Sequence, residues 1–266
     1  MADSHYVSRF LLRNWAHPDY DTLNYFTFAD DSIKTIHPKS MYVSETPYPA
    51  DIEKWLDRNV ESPLGDYVAR CKQAAVSPDA KRATPDPGPR ERKALTLAVL
   101  LQPGRTAIAL DGSDTHLIDV IRKGDQFIEK LIEHYDRVNN GFVVADPSSH
   151  LFFPSLGLVA LPLIGAEGMF LPLAPWLCTI RVPKTAFDGS LELFLTAPGV
   201  TQALSAGLQD DRVVLPPLSN EADREHISSL VRNCRARATE LCRLLLTLNE
   251  RIGADLSAAW LPKMST

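Results

Sequence analysis

The chain has 266 residues, with 28 Lys+Arg against 33 Asp+Glu and a formal net charge of -5. Hydrophobic residues make up 45% and charged residues 23% of it, which excludes a disordered chain, a collagen-like chain and a disulfide scaffold. The acidic balance argues against broad, non-specific binding of nucleic acid, because such binding requires a basic surface.

Four cysteines are spread along the chain without a C-x-x-C pair, so the sequence has no zinc-ribbon or thioredoxin-like motif. Free thiols suit a reducing compartment, and the first ten residues contain no apolar segment of the kind that a secretory signal needs. We therefore expect a cytoplasmic protein.

Apolar residues at helical spacing predict helices along much of the chain. Their ranges are Ser4–Ala16, Pro49–Val60, a new helix from Ser62 toward Cys71, Arg90–Leu101, Thr115–Val138 and a long C-terminal helix, Asp223–Ile252. Ser62 and Pro63 are interpreted as the N-cap and first residue of their helix. Residues 75–93 contain four prolines, which predict a flexible loop.

Short apolar or alternating runs predict β-strands. A hairpin is predicted from Leu23–Phe28 and Ile33–Ile36, and further strands are predicted at Phe142–Ala145, Leu158–Leu163, Met169–Leu171, Leu177–Val182 and Leu191–Leu195. Helices come first, strands cluster in the middle and helices return. This order favours one α+β domain over residues 1–266, with helices packed around a central, mostly antiparallel or mixed sheet.

One long stretch has the apolar character of a membrane span. From Leu151 to Ile180 the only charged residue is Glu167. Four prolines and three glycines interrupt the stretch, however, and they would leave backbone groups unsatisfied in lipid. We therefore expect short buried strands there and no membrane contact.

The strong catalytic signatures are absent from the sequence. It has no Gly-rich dinucleotide or P-loop motif, no H-E-x-x-H zinc motif and no G-x-S-x-G nucleophile elbow. The seven histidines are scattered, and no two stand at a metal-ligand spacing. No cofactor is assigned on these grounds, and a divalent metal ion is left open.

The segment His5-Tyr6-Val7-Ser8-Arg9-Phe10 resembles the H-Y-V-P-[RQ]-F opening of a bacterial domain-of-unknown-function family, number 4238. Later segments follow in that family's order, and they are Ile52-Glu53 with Glu61, Leu101-Gln102-Pro103-Gly104-Arg105-Thr106, Phe142-Val143-Val144-Ala145-Asp146-Pro147 and Phe170-Leu171-Pro172-Leu173-Ala174-Pro175. Ser8 stands where the motif has proline, and Ala145 stands where it has serine. The family has no established activity, so the resemblance implies a fold and a set of polar positions.

The matched polar residues are the candidate site. The expected catalytic residues are His5, Glu61 and Asp146, and the expected substrate-binding residues are Arg9, Arg105 and Gln102. Histidine titrates near neutrality and suits a general base or a metal ligand, while arginine grips phosphate or carboxylate with a planar fork of donors. Asp146 follows a predicted strand, where a catalytic or metal-binding carboxylate is well placed.

Each candidate also has a structural alternative. His5 can pin the N-terminal segment to the backbone, and Asp146 and Gln102 can cap a turn and a helix. Arg9 and Arg105 can form salt bridges to Glu53, Glu61 or Asp146. The sequence alone does not decide between these structural roles and the catalytic or substrate-binding roles.

Two functions are therefore compared. The first is an enzyme, a hydrolase or nuclease-like toxin or defence protein, that acts on an anionic phosphodiester or nucleotide, with a nucleotide or nucleic acid as the expected partner. The second is a non-catalytic module that binds a protein or a ligand, in which the same polar residues form a buried network. A catalytic set must face a cleft, whereas a structural set is buried and mutually paired.

Overall fold

A computed structural model describes residues 4–5, 7–44, 48–76, 84–111, 116–145, 151–154, 157–163, 166–186, 212–218, 220–233 and 236. Its helices and antiparallel sheets confirm the predicted α+β class. Of the predicted C-terminal helix, residues 221–233 are helical, and most of the remainder lies outside the described residues. The strand predicted at Leu191–Leu195 also lies outside them.

The described α-helices are α1 (Arg9–Arg13), α2 (Ala50–Leu56), α3 (Ser62–Val76), α4 (Pro89–Asp111), α5 (His116–Arg122), α6 (Asp125–Val138) and α7 (221–233). A 3-10 helix covers Pro38–Ser40, and a π-helical turn covers Asp57–Glu61. The predicted loop at 75–93 is shorter than expected, because α3 continues to Val76 and α4 already begins at Pro89. Proline is well suited to the first turn of a helix, where its missing N–H has no partner to lose.

The described strands are β1 (Ser4–His5), β2 (Leu23–Thr27), β3 (Ser32–Ile36), β4 (Val43–Ser44), β5 (Asn139–Ala145), β6 (Phe153–Pro154), β7 (Val159–Leu163), β8 (Ala166–Ala174), β9 (Leu177–Pro183) and β10 (Arg212–Leu215). They form three antiparallel sheets, in the orders β1-β4, β3-β2-β10-β6 and β5-β9-β8-β7. The predicted hairpin is confirmed as β2–β3, in which Leu23 pairs with Ile36.

The apolar stretch from Leu151 to Ile180 is built as predicted from short strands, β6 to β9. Within the part of the chain that the structure describes, no helix has the length and apolarity needed to cross a bilayer. Leu171 and Leu173 of β8 are buried in the main hydrophobic cluster, which also includes residues of α1 and α4. These described apolar side chains therefore belong to the hydrophobic core.

The predicted N-terminal helix is shorter than Ser4–Ala16. Ser4 and His5 form β1, in which His5 pairs with Val43 of β4, and α1 covers only Arg9–Arg13. The chain then tightens into i→i+3 bonds, such as Trp15 N to Leu12 O at 3.0 Å. This turn lets the buried Trp15 indole donate from Nε1 to the Leu151 carbonyl at 2.8 Å, which ties α1 to the sheets.

The interpretation of Ser62-Pro63 as a helix start is wrong. Residues 50–76 form one composite helix, in which the π turn joins α2 to α3 without a break. A proline ring clashes with the carbonyl four residues earlier in a regular α-helix. Here the Ser62 N–H donates to the Asp57 carbonyl, five residues back, so the widened turn stands directly before Pro63.

The predicted helix Thr115–Val138 is in fact two helices, α5 and α6. Gly124 separates them at φ 86°, a conformation that glycine adopts without steric strain. α6 ends at Val138, and Asn139 is its C-cap, with its backbone N–H and its Nδ2 both donating to the Tyr135 carbonyl, the latter at 2.9 Å. Asn139 is already extended and begins β5. Gly141 instead gives room to the buried side chain of Arg181 on the neighbouring strand.

Arg181 is the centre of a polar network on the sheet β5-β9-β8-β7. Its Nη2 donates to Thr96 Oγ1 at 2.8 Å and its Nη1 to Asp136 Oδ1 at 3.4 Å. Burial lowers the pKa of Arg181, and the charge of Asp136 opposes that shift. This network connects β9 to α4 and α6.

Replacing glycine by alanine should lower the stability of the protein at Gly141 and raise it at Gly65. In Gly141→Ala the new Cβ would lie 2.6 Å from Arg181 Cζ, so the guanidinium must leave its partners, and stability should fall by about 1–3 kcal/mol. Gly65→Ala is the control, because its Cβ would meet only Phe10 Cδ2 at 3.9 Å within α3. That change should stabilise by about 0.5–1 kcal/mol in urea unfolding.

The buried Cys178 thiol predicts a loss of stability in alkali. Burial raises its pKa to about 12 from an ordinary value of 9.0. As the pH rises above 9.0, the unfolded chain therefore releases this proton while the folded chain keeps it. Between about pH 9 and about pH 12 this thiol should remove stability at a rate that approaches about 1.4 kcal/mol per pH unit. Cys178→Ala should show a shallower decline in urea unfolding, and parallel curves would contradict the assignment.

Candidate functional site

An open cleft of about 280 Å³ lies where α1, the composite helix and α4 meet. Its walls carry two arginines, three carboxylates, a tyrosine and a leucine, namely Arg9, Arg105, Glu53, Asp57, Glu61, Tyr48 and Leu56. These residues come from widely separated parts of the chain. The cleft therefore depends on tertiary packing.

The π turn places the three carboxylates on one face of the composite helix. In a regular α-helix each residue advances by about 100°, so residues four apart drift by about 40° around the axis. The wider turn from Asp57 to Glu61 advances by only about 80° per residue, which reverses most of that drift. Glu53, Asp57 and Glu61 consequently all line the cleft.

The Arg105–Glu61 ion pair closes the floor of the cleft. Arg105 Nη1 lies 3.0 Å from Glu61 Oε1, and the exposed fractions of the two side chains are 8% and 23%. A guanidinium that is so far removed from water requires a counter-charge. The pair thereby links α4 to the composite helix.

Tyr48 packs against the same arginine. Its ring centroid lies 5.9 Å from Arg105 Cζ, and its hydroxyl donates to the Arg105 backbone carbonyl at 3.1 Å. Burial raises the pKa of Tyr48, with Arg105 opposing the shift, so the hydroxyl stays protonated at neutral pH and can donate. Both the backbone and the side chain of Arg105 are thus held in place.

The rim of the cleft is polar and more exposed than its floor. Glu53 and Asp57 are exposed, and Arg9 in the first turn of α1 is half-buried. Three carboxylates against two guanidiniums leave the lining with a formal charge of 2 − 3 = −1. The cleft can bind one anionic group through Arg9, and its carboxylates can accept hydrogen bonds from hydroxyl or amine groups beside it.

The structure brings together three of the six residues proposed from the sequence. Arg9, Glu61 and Arg105 line the cleft. Gln102 is buried one helical turn before Arg105 and lies behind the cleft. The backbone of His5 lies in β1, four residues before Arg9. Asp146 lies outside the described residues.

Sequence reasoning missed Tyr48 and Asp57 and treated Glu53 only as a salt-bridge partner. The i, i+4, i+8 spacing of Glu53, Asp57 and Glu61 was the available signal. The sequence analysis does not use this spacing, because Pro63 predicts that one helix ends at Val60 and a new one begins at Ser62. Among the described residues, no group of three or more His, Cys, Asp or Glu has the arrangement of a metal site.

Comparisons of the chain with family models, with curated proteins and with solved structures find no match.

Removing one member of the buried pair should destabilise the protein. Glu61→Ala leaves the Arg105 guanidinium without its carboxylate, and we expect a loss of about 2–3 kcal/mol. Glu53→Ala is the matched control on the exposed rim of the same cleft and should cost less than about 1 kcal/mol. Urea unfolding measures both, and equal losses would show that the pair does not hold the floor.

Proposed function

We propose that the protein is an enzyme that binds a phosphate-bearing substrate, of the nucleotide or phosphodiester class, in the cleft and hydrolyses it. The observation that carries this proposal is the convergence of Arg9, Glu61 and Arg105 from separate helical segments on one open cleft. Guanidinium groups match phosphate oxygens in geometry, and a neighbouring carboxylate can accept the proton of an attacking water.

The size and charge of the cleft favour a small nucleotide over a nucleic acid. A volume of about 280 Å³ corresponds to the lower end of ligand pockets and to a group the size of a sugar phosphate. The exposed carboxylates of Glu53 and Asp57 would repel a run of backbone phosphates. They would accept hydrogen bonds from the hydroxyls of a single ribose.

Each residue has a distinct role in this proposal. Arg9, at the half-buried rim, binds the phosphate, and Arg105 stabilises the negative charge that develops on its oxygens. Glu61 takes a proton from the water that attacks phosphorus. His5, whose strand leads into α1, protonates the leaving oxygen. Asp146, which lies outside the described residues, is retained in the proposal as a catalytic carboxylate.

The proposal also includes the cellular setting. Cys71 and Cys178 are free and buried thiols, which supports a reducing, cytoplasmic location. The resemblance of the opening segment supports placing the chain with bacterial family number 4238, and a toxin or defence role fits an intracellular nucleotide hydrolase.

The test compares two arginines of the same short helix. Arg9→Ala should lower kcat/KM for hydrolysis of bis(4-nitrophenyl) phosphate by about 10- to 100-fold, because a charge-assisted hydrogen bond is worth about 1.5–3 kcal/mol. Arg13→Ala is the matched control, since Arg13 is exposed and does not line the cleft. Equal losses in the two variants would contradict the proposal, as would a wild type that neither cleaves the diester nor binds adenosine monophosphate in calorimetry.

A second candidate function is a non-catalytic module that binds a ligand. The observation that favours it is the burial of Arg105, whose side chain is only 8% exposed and is held by Glu61 and Tyr48 as a structural network would be. This candidate predicts saturable binding of adenosine monophosphate without turnover. Product formation by the wild type, lost in Arg9→Ala at an unchanged melting temperature, would exclude it.

A further inference from the structure

A small inner cavity of about 10 Å³ lies directly behind the cleft. Arg105 and Leu56 line both spaces, so the two spaces are adjacent. Apart from Arg105, the polar side chains that line the inner cavity belong to Ser8 and Gln102, and the rest of the lining is apolar. A space of this size accommodates about one water molecule.

Ser8 is the residue that points to a ligand. It is the N-cap of α1, yet its side chain makes no capping hydrogen bond. It is 3% exposed, and within the described residues its Oγ has no hydrogen-bond partner. A buried hydroxyl that neither caps its helix nor bonds elsewhere is destabilising unless a bound molecule satisfies it.

The other side of the cavity is fixed by Gln102. This side chain is 5% exposed, and a Cβ added to Gly157 would lie 2.7 Å from its Nε2. The bare backbone of Gly157, at φ 70°, therefore packs closely against the Gln102 amide and holds it in place. The amide offers both a donor and an acceptor group.

We propose that the inner cavity binds one water molecule, which is held by Ser8, Gln102 and Arg105 and positions the Arg105 guanidinium from behind. Buried waters make about three hydrogen bonds to polar groups, and these three side chains supply that number. Ser8 and Gln102 are positioning residues in this arrangement, and Gln102 does not contact a ligand in the cleft. The proposal stands whether or not the cleft is catalytic.

The direct test is a high-resolution crystal structure of the whole chain. We expect solvent density within hydrogen-bonding distance of Ser8 Oγ, and no such density in Ser8→Ala. An empty cavity in the wild type, with Ser8 Oγ accepting from the backbone N–H of Phe10 or Leu11, would overturn the proposal.

A second test measures the unfolding equilibrium constant of Ser8→Ala. The direction of its change distinguishes a hydroxyl that holds a water molecule from one that has no partner. If the hydroxyl holds a water, Ser8→Ala should raise the unfolding equilibrium constant by about 2- to 10-fold, because the water loses a partner. If the hydroxyl has no partner at all, the same change should leave the constant unchanged or lower it. Ser40→Ala is the control at an exposed serine and should have no effect.

Ser8→Asn separates the water site from a capping role. Asparagine caps a helix as well as serine does, so capping alone predicts wild-type stability for this variant. The larger amide would instead occupy the inner cavity and displace the water. We therefore expect Ser8→Asn to be no more stable than Ser8→Ala, and recovery to the wild-type value would overturn the proposal.

Discussion

The desolvated guanidinium of Arg105 is the constraint on which the cleft depends. A side chain that is only 8% exposed cannot carry a charge without a partner, and Glu61 provides it at 3.0 Å. Glu61 reaches this position because the composite helix widens before Pro63. The widened turn before Pro63 is thus part of the geometry that brings Glu61 to Arg105 of α4.

This constraint divides the polar residues of the cleft into two groups. Arg105, Glu61 and Tyr48 hold one another and form a rigid floor. Arg9, Glu53 and Asp57 form a more exposed rim that can bind a ligand without disturbing the core. The ion pair makes the floor formally neutral, so Arg9 at the rim is the group that can bind an anion while the floor stays in place.

The position of α1 joins this site to the rest of the fold. The helix is anchored by Trp15 and by Asn14, whose Nδ2 donates to the Leu173 carbonyl at 2.7 Å. Arg9 and Ser8 at its start are therefore held at the cleft and at the inner cavity respectively. A helix of five residues has little stability by itself, so tertiary contacts must keep it in place.

The sequence by itself determined the α+β class, the β2–β3 hairpin and the buried strands after Leu151, because these follow from local hydrophobic period and turn residues. The motif resemblance also made Arg9, Glu61 and Arg105 candidate site residues, and it left open whether the arginines pair with Glu53, Glu61 or Asp146. Only the tertiary structure decided that Pro63 lies inside a helix and that Ser8 lines a cavity. The physical reason is that the chain around a proline or a serine has several local conformations of similar energy. Packing against distant segments of the chain selects one of them.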